Sequence, residues 1–121
     1  MKRCLIVDDS SSTRKILRHY MESMNFEALE AESREEALEI CREDMPDCIT
    51  VDWCMPDCDG LTLLGELRAL PGSDQAKVLY CTSEFDPAHI ARALRGGADR
   101  CFMKPFDRDV LARSLASADL L

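Results

Sequence analysis

At 121 residues, with 46% hydrophobic and 31% charged side chains, the chain has the size and composition of one globular domain with a core of ordinary size. Its net charge of −8, from 15 basic and 23 acidic residues, argues against a nucleic-acid partner, because phosphate binding needs a basic face. No apolar stretch approaches membrane-spanning length, and the four apolar residues after Lys2 and Arg3 are too few for a secretory signal, so a cytoplasmic protein is expected.

Taken in chain order, short apolar runs alternate with helical patterns. Cys4-Leu5-Ile6-Val7 reads as a buried strand that stops at Asp8-Asp9. Between Ser12 and Met24, the residues Ile16, Leu17, Tyr20 and Met24 follow helical spacing. Phe26–Ala31 is a weaker strand signal. Ser33-Arg34-Glu35-Glu36 fits a capping box ahead of Ala37, Leu38 and Cys41, with Ser33 as N-cap and Glu36 reaching back. Cys48–Val51 predicts a third strand, ending at Asp52. Leu61–Leu70 predicts a helix stopped by Pro71-Gly72. Lys77–Cys81 is a fourth strand, ending at Thr82-Ser83. Asp86-Pro87 supplies an N-cap and a proline at the first helical position, and Gly96-Gly97 ends that helix. Arg100–Met103 is a fifth strand, ending at Lys104-Pro105, and Asp107 caps a last helix through Val110, Leu111 and Leu115.

Five strand–helix units in series predict an α/β fold, a (βα)5 doubly wound five-stranded parallel sheet with helices on both faces. Residues 1–121 read as a single domain, with no linker or repeat and no output domain after the last helix. In such sheets ligands bind outside the carboxyl ends of the strands, where the strand order reverses. Every strand end named above except the second carries polar residues, and the fold brings these to one rim. Three aspartates there repel one another unless a hard cation sits among them, and Mg2+ suits one or two carboxylates together with a phosphate oxygen. A lysine and a hydroxyl beside it can offset charge on a phosphoryl group in transfer, which leaves one aspartate to act as nucleophile.

Four stretches, LIVDDSSSTR, VDWCMPDCDG, LYCTSEFD and GADRCFMKPF, together resemble the receiver domain of two-component response regulators over essentially the whole chain. The combination DW-x-MP, CTSE-x-D-x-x-HI and KPFDRD is similar to stand-alone CheY-type regulators of alphaproteobacteria. The resemblance implies a flavodoxin/CheY-like sheet with strand order 2-1-3-4-5. It implies that Asp52 accepts a phosphoryl group from a phosphohistidine on a histidine kinase or histidine phosphotransfer protein. Asp9, Asp52 and the backbone carbonyl of Cys54 are then the Mg2+ ligands, with Asp8 helping through water. Lys104, joined to Pro105 by a cis bond, pairs with the phosphoryl oxygens. Thr82 moves to meet them, and the Ser83 amide contacts another. Glu84 and the residue at Cys54 tune hydrolysis of the acyl phosphate. A downstream protein would dock on residues 87–118, with chemotaxis favoured over a stress or cell-cycle phosphorelay. The protein would then be no enzyme beyond its own phosphoryl transfer and slow autodephosphorylation.

Two positions depart from that pattern. Cys54 stands where many relatives carry a polar side chain, and a thiol orients an attacking water poorly. Cys101 stands where most receivers carry an aromatic that swings inward, although Phe102 sits beside it on the opposite face. This departure keeps open a phosphorylation-independent module that only binds partners. A phosphatase with an aspartate nucleophile would want a second aspartate where Cys54 stands. A flavodoxin-like cofactor binder would want a phosphate loop without the aspartates ahead of Ser10-Ser11-Ser12-Thr13.

The remaining reactive side chains read as structural. The seven cysteines are odd in number and several lie in apolar runs, so no disulfide framework is predicted. Cys54 and Cys58, lacking two further ligands, make a poor zinc site. Cys58 reads as an exposed loop thiol, His19 and His89 as helix-surface residues, and the methionines as core filler. Cys101 is a minor candidate for redox sensitivity if Lys104 depresses its thiol pKa. The acidity is uneven: residues 1–85 hold 9 basic and 18 acidic side chains, residues 86–121 hold 6 and 5. The region 87–118 is therefore expected to meet an acidic or amphipathic partner segment.

Overall fold

The fold is given by a computed structural model that describes residues 1–56, 58–83 and 85–121, without the side chain of Cys54. The five apolar runs form β1 (Arg3–Val7), β2 (Glu27–Ala31), β3 (Cys48–Asp52), β6 (Lys77–Thr82) and β7 (Arg100–Met103). They make one sheet in the order β2-β1-β3-β6-β7, with every neighbouring pair parallel. Between β3 and the third helix lies a two-residue antiparallel hairpin, β4 (Cys54–Met55) and β5 (Cys58–Asp59). With that hairpin set aside, the sheet has the order 2-1-3-4-5 expected from the resemblance.

Five helices cover the sheet: α1 (Ser11–Ser23), α2 (Arg34–Glu43), α3 (Gly60–Arg68), α4 (Pro87–Arg95) and α5 (Arg108–Ser117). Alternate residues of each strand point to opposite faces, so the buried side chains divide into two layers. Leu5, Val7, Ile49, Val51, Val78 and Tyr80 pack against α2, α3 and α4 through Leu38, Leu63, Leu64, Leu67 and Ala93. Cys4, Ile6, Cys48, Leu79, Cys81 and Phe102 pack against α1 and α5 through Leu17, Met21, Leu111 and Leu115.

Side-chain oxygens start the helices as the sequence indicates. Ser33 accepts from the Glu36 amide, Asp86 from Ala88 and His89, and Asp107 from Val110. Glu36 reaches back one residue further than a standard capping box, to the amide of Glu32 at 3.4 Å. Helix α1 starts at Ser11, capped by Ser10, and α3 starts at Gly60, capped by Asp59. The buried stripe of α1 is Leu17 and Met21, four residues apart. Ile16 lies one residue, or about 100°, off that stripe and is exposed, which corrects its place in the expected apolar face. At Gly97, with φ 122°, a Cβ would sit 2.6 Å from Arg68 Cγ, so only glycine fits this end of α4.

The chain leaves β1 towards β2 on one side and returns to β3 on the other. The strand order therefore reverses over the carboxyl ends of β1 and β3, where Asp8, Asp9 and Asp52 stand.

Candidate functional site

Asp8 prolongs β1, its amide donating to the Ala31 carbonyl at 3.1 Å. Its Oδ1 accepts from the Ser10 amide at 2.9 Å, a turn that aspartate readily makes, and Ser10 then caps α1. Arg14, one turn into α1, donates to the Asp8 carbonyl at 2.7 Å. Asp52 ends β3 and is 7% exposed, while Asp8 is 2% exposed and Asp9 faces solvent. One side-chain oxygen from each of the three lies within 4.8 Å of the other two. Lys104, just past β7, reaches across the gap and donates to Asp8 Oδ2 at 3.1 Å and Asp52 Oδ1 at 3.2 Å. Its amide donates to the Thr82 carbonyl at 2.7 Å, which ties the end of β7 to the end of β6. Thr82 is fully buried and Ser83 exposed, and the Lys104–Pro105 bond is cis.

Burial and the nearby Asp8 push the Asp52 carboxyl above its ordinary value of 3.8, with Lys104 pulling the other way and Asp9 adding a smaller push. Burial also works against the Lys104 ammonium, but the charges of Asp52 and Asp8 and their hydrogen bonds outweigh it and raise its pKa. Two buried carboxylates thus share one ammonium, with Asp9 alongside. Both Asp8 oxygens are occupied, by Ser10 and Lys104, so Asp9 and Asp52 are the carboxylates better placed to take a cation. The donors are all hard oxygens, as a small divalent cation prefers. Beside Lys104 a groove of about 450 Å³ is lined by Thr13, Ile16, Ser83, Lys104, Pro105 and Phe106, which places the exposed Ile16 at the edge of the site.

Of the expected site residues, Asp8, Asp9, Asp52 and Lys104 meet at one rim, with the Thr82 backbone tied to Lys104 and Ser83 beside it in the groove. The backbone of Cys54 lies in β4; its thiol and Glu84 lie outside the described residues. Cys101 sits half-buried on the α2–α4 side of the sheet, with Phe102 on the other. Burial pushes the Cys101 thiol up, the opposite of what a redox-sensitive thiolate needs, and this corrects that expectation. Cys58 is partly buried against the core and is no exposed loop thiol. Among the described residues the aspartate trio is the one cluster able to hold a metal ion.

His19 is on the surface, but His89 is not. It is 5% exposed, its Nε2 lies 3.1 Å from the Tyr80 hydroxyl, and its ring lies 4.0 Å from that of Trp53. The sequence carried a signal for this: His89 and Ala93 are four apart, so they share a helix face, and Ala93 is the other buried residue of α4.

The family model described as the response regulator receiver domain matches residues 4–116. The chain is 34% identical over 119 residues to the chemotaxis protein CheY of Listeria monocytogenes, covering 98% of each. It is 33% identical over 108 residues to the chemotaxis protein CheY of Bacillus subtilis, covering 88% of each. Among solved structures, that of the Vibrio cholerae chemotaxis protein CheY4 superposes with a TM-score of 0.92, at 27% identity over 98% of both chains. The rim of acids at the reversal point, the lysine that bridges them and a family match over nearly the whole chain agree: this chain belongs to the response regulator receiver domain family.

Proposed function

We propose that Asp52 takes a phosphoryl group from a phosphohistidine on a histidine kinase or histidine phosphotransfer protein and that this switches a protein-binding surface. The observation that carries the reading is the Asp8–Lys104–Asp52 bridge with Asp9 alongside. Lys104 engages Asp52 Oδ1, and Oδ2 enters none of the hydrogen bonds among the described residues, which leaves it to act as nucleophile. Its bond to phosphorus forms as the donor's P–N bond breaks, and the electron pair leaves on the imidazole nitrogen. Lys104, already at the carboxylate, faces the charge on the transferred oxygens, and Thr82 and Ser83 stand on the same rim to donate to them. Asp9, Asp52 and the Cys54 carbonyl would hold Mg2+, with Asp8 helping through water, and the ion would supply positive charge to offset these carboxylates and the incoming phosphate. In this reading the protein is no enzyme for an outside substrate; it catalyses only its own phosphorylation and a slow dephosphorylation.

The output is placed on residues 87–118, through a shift in the population of a partner-competent surface. Relatives named as chemotaxis proteins support chemotaxis-like signalling. Two of the three acids in this region have internal tasks, Asp107 capping α5 and Asp99 holding Arg68, while Asp109 is exposed. Arg92, Arg95 and Arg113 are exposed, which suits an acidic or amphipathic segment of the target.

Incubation with acetyl phosphate and Mg2+, followed by intact mass, tests the reading. A gain of one phosphoryl group, lost without Mg2+ and in Asp52→Asn, is expected. A chain that gains nothing, or gains it equally in Asp52→Asn, has no acceptor at this site.

A further inference from the structure

Four segments meet in one aromatic and polar cluster below the rim, with Tyr80 and His89 buried and Trp53 partly so. Trp53 directly follows Asp52, and its backbone is locked on both sides, its amide donating to Cys81 at 2.8 Å and its carbonyl accepting from Gly60 at 2.8 Å. Tyr80 lies on β6 two residues before Thr82 and is fully buried. A Cβ on Gly60 would fall 2.4 Å from the Tyr80 oxygen, so glycine at the start of α3 is what admits the phenol. His89, in the first turn of α4, closes the cluster through the 3.1 Å contact with that hydroxyl and the 4.0 Å stack on Trp53. Burial holds the Tyr80 phenol well above its ordinary value, so the hydroxyl keeps its proton and the two groups satisfy each other.

The rest of α4 makes this contact matter. Only His89 and Ala93 of that helix are buried, whereas α3 buries Leu63, Leu64 and Leu67. A histidine and an alanine bring little apolar area, so α4 is held more by a hydrogen bond and a stack than by aliphatic packing. Elements anchored in that way open at low free energy. The anchor also touches two segments of the proposed acceptor site, the residue after Asp52 and the strand that ends in Thr82.

We infer that His89 is a positioning residue that reports the state of Asp52 to α4, by way of Trp53 and Tyr80. The inference rests on the phosphoryl-acceptor reading and adds the route by which acceptance reaches the 87–118 face. Displacement of Trp53 or of the end of β6 re-seats or releases His89, and the first turn of α4 moves with it.

Hydrogen exchange of the α4 amides, with intact mass as a parallel measurement, tests this in the full chain. Wild type, Tyr80→Phe and His89→Phe are each compared with and without acetyl phosphate and Mg2+. Tyr80→Phe removes one oxygen and keeps the ring, and His89→Phe keeps the stack without the hydrogen bond. All three proteins are expected to take up the phosphoryl group alike. Without acetyl phosphate, both variants should exchange α4 amides about tenfold faster, the factor one net hydrogen bond is worth. Phosphorylation should change α4 exchange in wild type and leave it nearly unchanged in the variants. A merely structural role would speed exchange in both states and keep the phosphorylation-dependent difference, and that result overturns the inference. Full phosphoryl uptake with no response of α4 in wild type overturns it too. Failure of wild type to gain the group defeats the acceptor reading itself and takes this inference with it. If one variant does not fold, the other decides by the same comparison.

Discussion

Ionised Asp52 opposes folding in the metal-free protein, because its carboxyl is raised above 3.8 by burial and by Asp8. A raised carboxyl binds its proton more readily folded than unfolded, so the cost is absent below pH 3.8 and grows as pH rises through the folded value. Asp52→Asn is therefore expected to raise the denaturation midpoint at pH 7, with the gain gone in acid and Lys104 still paired to Asp8. Mg2+ should stabilise wild type and leave the variant nearly unmoved; thermal melts with and without the metal check both statements. At this scale the sequence was most readable where a side chain had one plausible task. Asp8, Asp52, Thr82 and Lys104 each follow an apolar strand run, and the parallel sheet brings such ends together. His89 was hidden because a histidine two residues past a helix start can face either way, and only the later Ala93 spacing separates the two. The burial that raises the Cys101 thiol depends on which helices cover β7, which lies beyond local sequence.

Ion pairs join elements that the hydrophobic layers already pack together. Arg14 and Arg18 on α1 hold Glu30 of β2 at 2.9 and 2.7 Å, and Arg34 of α2 pairs with Glu66 of α3. At the end of the sheet away from the acids, Arg68 donates to Gly97, Ala76 and Asp99, clamping α3 to the loops before β6 and β7. The hydrogen bond from Arg18, opposed by burial and helped by Arg14, lowers the Glu30 carboxyl below 4.5. A lowered carboxyl stabilises above its unfolded value and loses that contribution as pH falls through the folded one. Glu30→Gln should thus lower stability at pH 7 by up to about 1 kcal/mol, as part-exposed pairs do. The gap to wild type should close as pH drops below 4.5, in denaturant titrations run across that range. Element ends were legible through Ser33, Asp86 and Asp107, whose side chains have a direct capping task. The β4–β5 hairpin was not, because two residues per strand carry no periodicity to read.

Charge is divided over the whole molecule as it is along the chain. Arg3, Arg14, Arg18, Arg34 and Arg68 each make an ion pair, while among the described residues Arg92, Arg95 and Arg113 make none. Reversing these three to glutamate is expected to slow association with the target several-fold and flatten its salt dependence. Phosphoryl uptake should be unaffected, and chemical-shift mapping of the target onto residues 33–47 would rule the surface out. The doubly wound architecture was legible because five strand–helix repeats admit few other topologies, whereas the tertiary stack of Trp53 on His89 left no local trace. That stack has a practical consequence. Trp53 is the chain's single tryptophan, seated between Asp52 and His89 of α4, so its ultraviolet emission reports on that junction alone. The unmodified protein carries its own optical gauge, against which each step at the acids can be timed without a dye.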